Sequence, residues 1–244
     1  MAVKKDKKSA VSVLHRMIET GVQVMQLQFL GHACFLLTDG TCRVLTDPFL
    51  TGNPLAAISA DQVAADFIFV THGHSDHTGD AVAIARRTGA TVCCTVDLAD
   101  GLFGPADVKV QVGNLGGRLP MPFGSAKFFQ AIHGSGVPGC LSCGFIFEMD
   151  GRKIYHAGDT ALMSDLALLA EENIDVALLP IGDVFTMGPE DALRAVKMIR
   201  PKLVVPMHYN TFPPIVQDAV AFASAVQEAG FQARVLRPGE ILLF

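Results

Sequence analysis

Residues 67–80 read FIFVTHGHSDHTGD, and this stretch decides the fold. Its first four residues form an apolar run that predicts a buried strand. Ligand-type side chains follow directly after that run, at His72, His74, Asp76 and His77. In an extended segment, residues two apart point to the same side, so His72 and His74 can bind one metal ion. Asp76 and His77 come from the following turn and can serve a second ion.

A single histidine near apolar residues is usually structural. Here three of the eight histidines of the chain fall within six positions, together with a carboxylate. Imidazole nitrogens and carboxylate oxygens are the ligands that hydrolytic zinc sites use. The density of such ligands therefore favours metal binding over a structural role.

The composition excludes several classes of protein. Half of the 244 residues are hydrophobic and 18% are charged, which suffices for the core of one large α/β domain or two small ones. The net charge of −5 argues against a general nucleic-acid binder. No apolar run approaches the roughly 20 residues of a membrane span, and the basic N-terminus lacks the apolar core of a signal peptide. The six cysteines include one C-x-x-C pair without the second pair of a structural zinc site, so we expect reduced thiols and a cytoplasmic protein.

Residues 1–23 are predicted to be an extension of the main domain. Lysines open this segment, and apolar residues then recur at helical spacing, at Val11, Leu14 and Ile18. That spacing predicts a short amphipathic helix. Met25 is an alternative start of the chain. Residues 24–244 are predicted to form a single domain.

The main part of the chain repeats one pattern twice, with several strands first and then helices and strands in alternation. We expect helices over residues 80–87, 97–102, 165–172, 189–199 and 216–229. The last predicted strands cover residues 234–236 and 241–243. This pattern favours two similar layered halves that share one core, with helices outside.

Three further strand ends offer metal ligands. One apolar strand ends at His133, another leads into a Gly-Asp turn at Asp159, and a third ends at His208. Any one of them alone is as readily structural as a ligand. Strand ends that converge on one edge of a sandwich give the geometry that a hydrolytic metal site needs. We therefore expect these three side chains to join the cluster in residues 72–77.

The motif T-H-G-H-S-D-H at residues 71–77, followed by His133, Gly158-Asp159 and His208, resembles the metallo-β-lactamase superfamily over about residues 25–244. Five further stretches resemble one bacterial and archaeal branch of metal-dependent hydrolases, which is similar to ascorbate-phosphate lactonase-like proteins. These stretches are residues 29–33, 47–49, 155–160, 185–192 and 206–211. The resemblance implies an α/β fold, a four-layer αβ/βα sandwich, with the site along one edge between its two halves.

The resemblance also implies a ligand set for two divalent metal ions. The first ion would be held by His72, His74 and His133, the second by Asp76, His77 and His208, and Asp159 would bridge the two. A shared hydroxide, oriented by Asp76, would be the nucleophile. Zinc is the favoured metal, with manganese, iron and nickel as alternatives, because one set of His and Asp ligands accepts several metals.

Two positions of the motif narrow the chemistry that the resemblance implies. Diiron oxygen-reducing relatives carry a carboxylate where this chain has His74, so hydrolysis is favoured over redox chemistry. One main class of true β-lactamases closes the motif with arginine where this chain has His77, which weakens a β-lactamase interpretation.

Three more polar residues are expected beside the site but outside the ligand set. His32 can donate a hydrogen bond or protonate a leaving group, and a structural role is equally open. Asp47 can hydrogen-bond a ligand histidine and fix its tautomer. His156 directly precedes the Gly-Asp turn and is expected to point away from the metals. Asp183 is interpreted as a turn residue.

The predicted function is a metal-dependent hydrolase acting on a small ester, lactone or phosphoester. A phosphodiesterase or nuclease of the same superfamily is one alternative, and a non-catalytic module that binds metal and ligand is another. The expected partner is a small-molecule substrate, with no membrane and with nucleic acid disfavoured. The apolar content is compatible with a homo-oligomer.

Overall fold

The computed structural model describes residues 24–244, so the helix predicted in residues 1–23 lies outside the described residues. Within the described range, thirteen strands form two sheets. The first sheet contains β1 (Gln26–Gly31), β2 (Cys34–Thr38), β3 (Arg43–Thr46), β4 (Phe67–Phe69), β5 (Thr91–Thr95), β6 (Val110–Gly113) and β13 (Ile241–Leu243). Its order is β13-β1-β2-β3-β4-β5-β6, and β3 to β6 run parallel to one another.

The second sheet begins with an antiparallel meander and ends in parallel strands. It contains β7 (Arg118–Met121), β8 (Gly124–Gln130), β9 (Cys143–Met149), β10 (Arg152–His156), β11 (Val176–Pro180) and β12 (Leu203–Met207). Its order is β12-β11-β10-β9-β8-β7. A turn at Asp150-Gly151 joins β9 to β10, and both residues have positive φ, 47° and 70°, as a type I′ hairpin turn requires.

Five α-helices accompany the two sheets in the described part of the chain. They are α1 (Ser75–Thr78), α2 (Ala81–Thr88), α3 (Val96–Leu98), α4 (Pro189–Ile199) and α5 (Ala219–Glu228). None of these helices of the described chain is long and apolar enough to cross a membrane.

Four local predictions differ from the structure. The predicted helix at 97–102 is the short α3 followed by a π-helical turn, Ala99–Phe103, and the one at 165–172 is a 3₁₀ helix, Ser164–Glu172. The predicted helix at 216–229 begins only at Ala219, because the Asp218 carboxylate caps it by accepting hydrogen bonds from the Val220 and Ala221 amides, both at 3.0 Å. Residues 234–236 form no strand, because the chain pairs with β12 only through an isolated bridge between Val204 and Ala233.

The core follows from side-chain alternation along the central strands. Phe69 points between the sheets and makes edge-on contacts with Phe145 at 5.1 Å and Phe147 at 4.9 Å between ring centroids. Its neighbour Ile68 points to the other face and packs in a second buried cluster with Ile84 of α2. Helices α4 and α5 pack on the outer face of the second sheet. The predicted four-layer αβ/βα sandwich is therefore confirmed.

Candidate metal centre

The ligand-type residues meet at one edge of the sandwich because the strands that carry them run in the same direction. β3, β4 and β5 are parallel, and so are β8, β10 and β12 within the second sheet. Parallel strands end at the same edge of a sheet. The two sheets are joined at that edge by a hydrogen bond from the Cys143 amide to the Thr71 carbonyl, at 3.1 Å.

Three histidines form a first group. His74 Nδ1 lies 2.9 Å from His72 Nε2 and 3.3 Å from His133 Nε2. One ring nitrogen from each residue lies within 4.8 Å of the other two. Space for the His74 ring depends on Gly136, where a Cβ atom would stand only 2.7 Å from His74 Cδ2. The group can hold one metal ion through three imidazole nitrogens.

A second group lies beside the first. It consists of His32, Asp76, His77 and His208, whose ligand atoms also lie within 4.8 Å of one another. Asp76 and His77 are on α1, and His208 follows β12 with a positive φ of 55°. The structure therefore brings together the predicted residues of the second group and adds His32 to them.

Asp159 stands between the two groups. Its Oδ2 atom is 3.5 Å from His133 Nε2 and 3.0 Å from His208 Nε2, and its Oδ1 atom is 3.3 Å from His77 Nε2. The side chain is buried, and burial alone would raise its pKa. The neighbouring His77 and His208 instead hold the pKa of Asp159 well below its usual range. The carboxylate is therefore ionised and can face both groups.

Asp47 fixes the orientation of two histidines. Its Oδ2 atom lies 2.8 Å from His77 Nδ1 and accepts a hydrogen bond from the Thr71 hydroxyl at 2.8 Å. An ionised carboxylate only accepts, so His77 Nδ1 carries a proton, and Nε2 is the ring nitrogen that can bind a metal ion. The Thr71 hydroxyl in turn accepts a hydrogen bond from His72 Nδ1 at 3.0 Å, so in the neutral ring His72 Nε2 carries no proton. Asp47 thus turns the Nε2 atoms of both rings toward the centre.

The charges around His77 favour a positive charge at this position. Burial alone would lower the pKa of His77, but Asp159 and Asp47 raise it well above its usual value. The two carboxylates stand on opposite sides of the ring, at its two nitrogens. The two buried carboxylates therefore favour a cation at this position.

Several buried polar atoms of the centre have no hydrogen-bond partner among the described residues. They are His77 Nε2, Asp159 Oδ1, His208 Nδ1 and His208 Nε2. The 3.0 Å contact between His208 Nε2 and Asp159 lies outside the angular range of a hydrogen bond. A buried unpaired polar group costs roughly 1–3 kcal/mol and calls for a missing water or ion. Imidazole and carboxylate donors fit zinc and related divalent metals, so the residues present fit the metal ions that the fold family implies.

His32 holds Asp76. Its Nε2 atom lies 3.2 Å from Asp76 Oδ2, and its Nδ1 atom lies 2.9 Å from the Thr211 hydroxyl. Burial lowers the pKa of His32 to about 4, so the ring is neutral near pH 7 and carries one proton. Because Asp76 only accepts, that proton is on Nε2, and the Thr211 hydroxyl donates to Nδ1. Burial alone would raise the pKa of Asp76, but this hydrogen bond and the nearby His77 bring it below its usual range.

His156 does not face the centre. Its Nε2 atom donates to the Ala33 carbonyl at 2.9 Å, and its Nδ1 atom accepts from the Gly158 amide at 3.2 Å. Burial lowers its pKa, which keeps the ring neutral. The ring therefore fixes the turn that carries Asp159. Gly158 itself has φ +61°, and a Cβ there would lie 2.7 Å from the Cys143 carbonyl oxygen.

Some residues that shape the centre were not singled out from the sequence. Thr71 links Asp47 to His72, and Thr211 sets the tautomer of His32. Asp80 anchors the loop after β3, since its carboxylate accepts from the Leu50 and Thr51 amides, both at 2.8 Å. Thr71 and Asp80 lie inside the quoted 67–80 stretch, but the spacing alone does not indicate their partners. Asp183 lies, as predicted, in an exposed turn, with φ 63°.

Comparison with known proteins identifies the family. A model of the beta-lactamase superfamily domain matches residues 26–208. A UPF0173 metal-dependent hydrolase of Symbiobacterium thermophilum is 52% identical over 221 residues, which cover 88% of this chain and 98% of the relative. A Thermus thermophilus protein with the same description is 49% identical over 223 residues, covering 90% and 99%.

A solved structure agrees with these relatives. Igni18, described as a novel metallo hydrolase from the archaeon Ignicoccus hospitalis, matches with a TM-score of 0.85 at 36% identity, over 91% of this chain and 98% of that one. The resemblance drawn from the histidine motif is thereby confirmed. The chain belongs to the UPF0173 family of metal-dependent hydrolases in the metallo-β-lactamase superfamily.

Proposed function

We propose that this protein is a hydrolase with a dinuclear metal centre, and that zinc is its favoured metal. In this proposal His72, His74 and His133 hold the first ion, Asp76, His77 and His208 hold the second, and Asp159 contacts both. The observation that carries it is the convergence of these ligand atoms, several of them buried and without another partner. The substrate is a small ester, lactone or phosphoester.

The bound metals supply acidification of a water molecule and polarisation of the substrate oxygen. The protein supplies orientation. Asp76 accepts a hydrogen bond from the attacking water and so directs it toward the substrate. His32 fixes the Asp76 carboxylate from the other side, at 3.2 Å. Asp47 keeps the lone pairs of His72 and His77 turned toward the metals, and such outer partners typically change metal affinity or activity by roughly 10–100-fold.

A nuclease or phosphodiesterase function is the second candidate. It is disfavoured by the net charge of −5, since binding a nucleic-acid backbone relies on basic side chains. A non-catalytic module is disfavoured by the convergence of all seven proposed ligands. We also propose a cytoplasmic location, because all six cysteines, which lie in the described part of the chain, are free.

The test compares metal content and turnover in one preparation. Protein stripped with a chelator is reloaded separately with zinc, manganese, iron or nickel, and metal is measured by elemental analysis. Hydrolysis is then measured for p-nitrophenyl acetate, a γ-lactone and bis-p-nitrophenyl phosphate. We expect bound metal and metal-dependent turnover, both strongly reduced in His74→Ala and retained in the surface variant Glu172→Gln.

Two results would contradict the proposal. Absence of bound metal after reloading would remove its basis. Full metal binding without turnover of any substrate in the panel would favour the non-catalytic module.

A further inference from the structure

The segments that form the centre contain no permanently cationic side chain, that is, no lysine or arginine. Residues 44–85, 128–151, 154–193 and 203–233 contain neither lysine nor arginine, and they include all seven proposed ligands. His32 lies in residues 24–42, which contain none either. Sites that bind phosphoryl groups or free carboxylates commonly use arginine, lysine or metal ions to hold the negative oxygens. At this centre, only bound metal ions could hold the negative oxygens of such a substrate.

Lysines and arginines near these strands are engaged elsewhere. Lys127 and Lys153 bind the Glu172 carboxylate at 2.7 and 2.9 Å, and Lys202 binds Asp175 at 2.8 Å. Each of these lysines lies six residues before a proposed ligand, within or just before the strand that leads to it. The cations therefore sit toward the opposite end of the strands from the metal centre.

One side of the centre is aromatic. The His32 ring contacts Phe49 and Phe212 edge-on, at centroid distances of 5.7 and 5.6 Å. Phe49 and Phe212 also stack on each other at 6.0 Å. Both phenylalanines are half-buried, and each adjoins the centre through His32, which holds Asp76.

Exposed aliphatic and aromatic side chains lie on two further segments near the centre. Ile132 precedes His133 and is 58% exposed. Val184 and Phe185 are 66% and 53% exposed, on the loop that follows β11. That loop adjoins the centre, because the Met187 amide donates to the Thr160 carbonyl at 3.0 Å, next to Asp159.

Single exposed apolar residues are common on protein surfaces. These residues are different because they lie on segments that carry or adjoin the proposed ligands of one centre, and those segments contain no lysine or arginine. A charged substrate would find no counter-charge among the described residues beyond the metals. An apolar, uncharged substrate would bury the side chains of Ile132, Val184 and Phe185.

We propose that the centre hydrolyses uncharged carboxylic esters or lactones with an apolar acyl or alcohol portion, and that phosphoesters are poor substrates. This inference rests on the hydrolase function proposed above. In the reaction, water adds to the carbonyl carbon, and the bond from that carbon to the alcohol oxygen breaks. The alcohol oxygen takes a proton from the water. The products are a carboxylic acid and an alcohol, or one hydroxy acid from a lactone.

The test uses metal-reloaded protein and compares kcat/KM for p-nitrophenyl acetate, butyrate and hexanoate with that for p-nitrophenyl phosphate and bis-p-nitrophenyl phosphate. Each methylene that becomes buried is worth up to roughly fourfold in binding. We therefore expect at least a tenfold rise from acetate to hexanoate. We expect the phosphoesters to react at least a hundredfold more slowly than the hexanoate ester.

Three surface variants test where the apolar portion of the substrate binds. Phe185→Ala is expected to reduce the hexanoate-to-acetate ratio by threefold or more. Leu168→Ala is the matched control, because Leu168 is similarly exposed, at 59%, but lies on the 3₁₀ helix of residues 164–172. It should leave the ratio unchanged. Arg237→Ala, in a groove shared with Tyr209 and Asn210, should also leave ester turnover unchanged.

The outcomes separate this inference from the proposed function. Turnover of phosphoesters equal to or faster than that of esters would overturn the substrate class and leave the hydrolase function standing. Equal kcat/KM values for the acetate, butyrate and hexanoate esters would also overturn it, as would a tenfold loss of ester turnover in Arg237→Ala. No turnover of any substrate by metal-loaded protein would overturn both.

Discussion

The two ends of the second sheet carry charged groups on the same strands, but in opposite states of pairing. Near the start of β10, Lys153 and its neighbour Lys127 bind both oxygens of Glu172, at 2.9 and 2.7 Å. Beyond the end of β10, Asp159 is buried among histidines, and its Oδ1 atom lacks a hydrogen-bond partner in the described part of the chain. We call these the lysine end and the metal end.

The difference shows which end needs a group from outside the chain. The lysine end is satisfied by the chain itself, and its exposed ion pairs are each worth only about 0–1 kcal/mol. The metal end concentrates buried polar atoms that the chain does not satisfy, and unpaired groups of this kind are costly. Variants at the metal end should therefore change what the protein binds, whereas variants at the lysine end should change only its stability.

The largest effect is expected for Asp159→Asn. The amide keeps the shape of the side chain but removes the negative charge that faces both histidine groups. Outer partners of metal ligands change affinity by roughly 10–100-fold, so loss of the proposed bridging ligand should cost at least a hundredfold in metal affinity. Competition titration with a chromogenic chelator measures this.

Asp175→Asn is the matched control at the lysine end. Asp175 is also largely buried, and its carboxylate accepts from the Lys153 amide and from Lys202 Nζ, both at 2.8 Å. This variant should lose about 1 kcal/mol of stability and keep its metal affinity. Equal metal affinity in Asp159→Asn and wild type would remove the distinction between the two ends.

A smaller effect is expected for Asp47→Asn. Asp47 accepts from the Thr71 amide through Oδ1 and from the Thr71 hydroxyl and His77 Nδ1 through Oδ2. In asparagine an amide nitrogen replaces one of these oxygens, so donors face each other on that side. Metal affinity should fall by roughly 10–100-fold. With cobalt as the bound metal, the visible absorption spectrum should change as the histidines reorient.

The control for Asp47 is Asp39→Asn. The Asp39 side chain accepts three hydrogen bonds at 2.8 Å from Thr41 and Cys42, but in a turn between β2 and β3. Metal affinity and the cobalt spectrum should stay as in wild type. An unchanged cobalt spectrum in Asp47→Asn would show that Asp47 does not orient the ligands.

Much of the metal end could be predicted from the sequence because its signals are local. An apolar run followed by His72, His74, Asp76 and His77 is visible within one short stretch, and the other ligands each follow their own apolar strand. The strands themselves also follow from local apolar patterns. The convergence of these strand ends was expected from their shared pattern, the four-layer sandwich was implied by the family resemblance, and the order of the strands in each sheet was not predicted.

The rest depends on contacts between distant residues. His32 takes a positive φ of 59° and pairs with Thr211, which lies 179 residues further along the chain. No spacing rule indicates that pair. The 3₁₀ geometry of residues 164–172 likewise departs from the regular helix that its apolar spacing predicts. Tertiary packing overrides local preference in both cases.

The smallest effect is expected at the lysine end, for Glu172→Gln. A hydrogen bond from Lys127 lowers the pKa of Glu172 to about 2 from an unfolded value of 4.5. A lowered folded pKa stabilises the fold above the unfolded pKa, and this contribution fades as pH falls from 4.5 toward 2. Because the carboxylate is partly exposed, we expect a loss of only about 0.5 kcal/mol at pH 7.

Urea unfolding of chelator-treated wild type and Glu172→Gln at pH 7 and near pH 2 measures this difference. The two proteins should converge at the lower pH. A difference in the free energy of unfolding that persists or widens near pH 2 would mean that the charge of Glu172 is not its source.

Anomalous diffraction from crystals of the zinc-loaded protein, recorded on both sides of the zinc absorption edge, tests the central claim most directly. We expect two anomalous-difference peaks per chain, about 3.5–4 Å apart as in other two-metal sites. One peak should lie among His72, His74 and His133, the other among Asp76, His77 and His208, and Asp159 should contact both. A single peak, or zinc bound away from Asp159, would contradict the proposal of a dinuclear centre in which Asp159 contacts both ions.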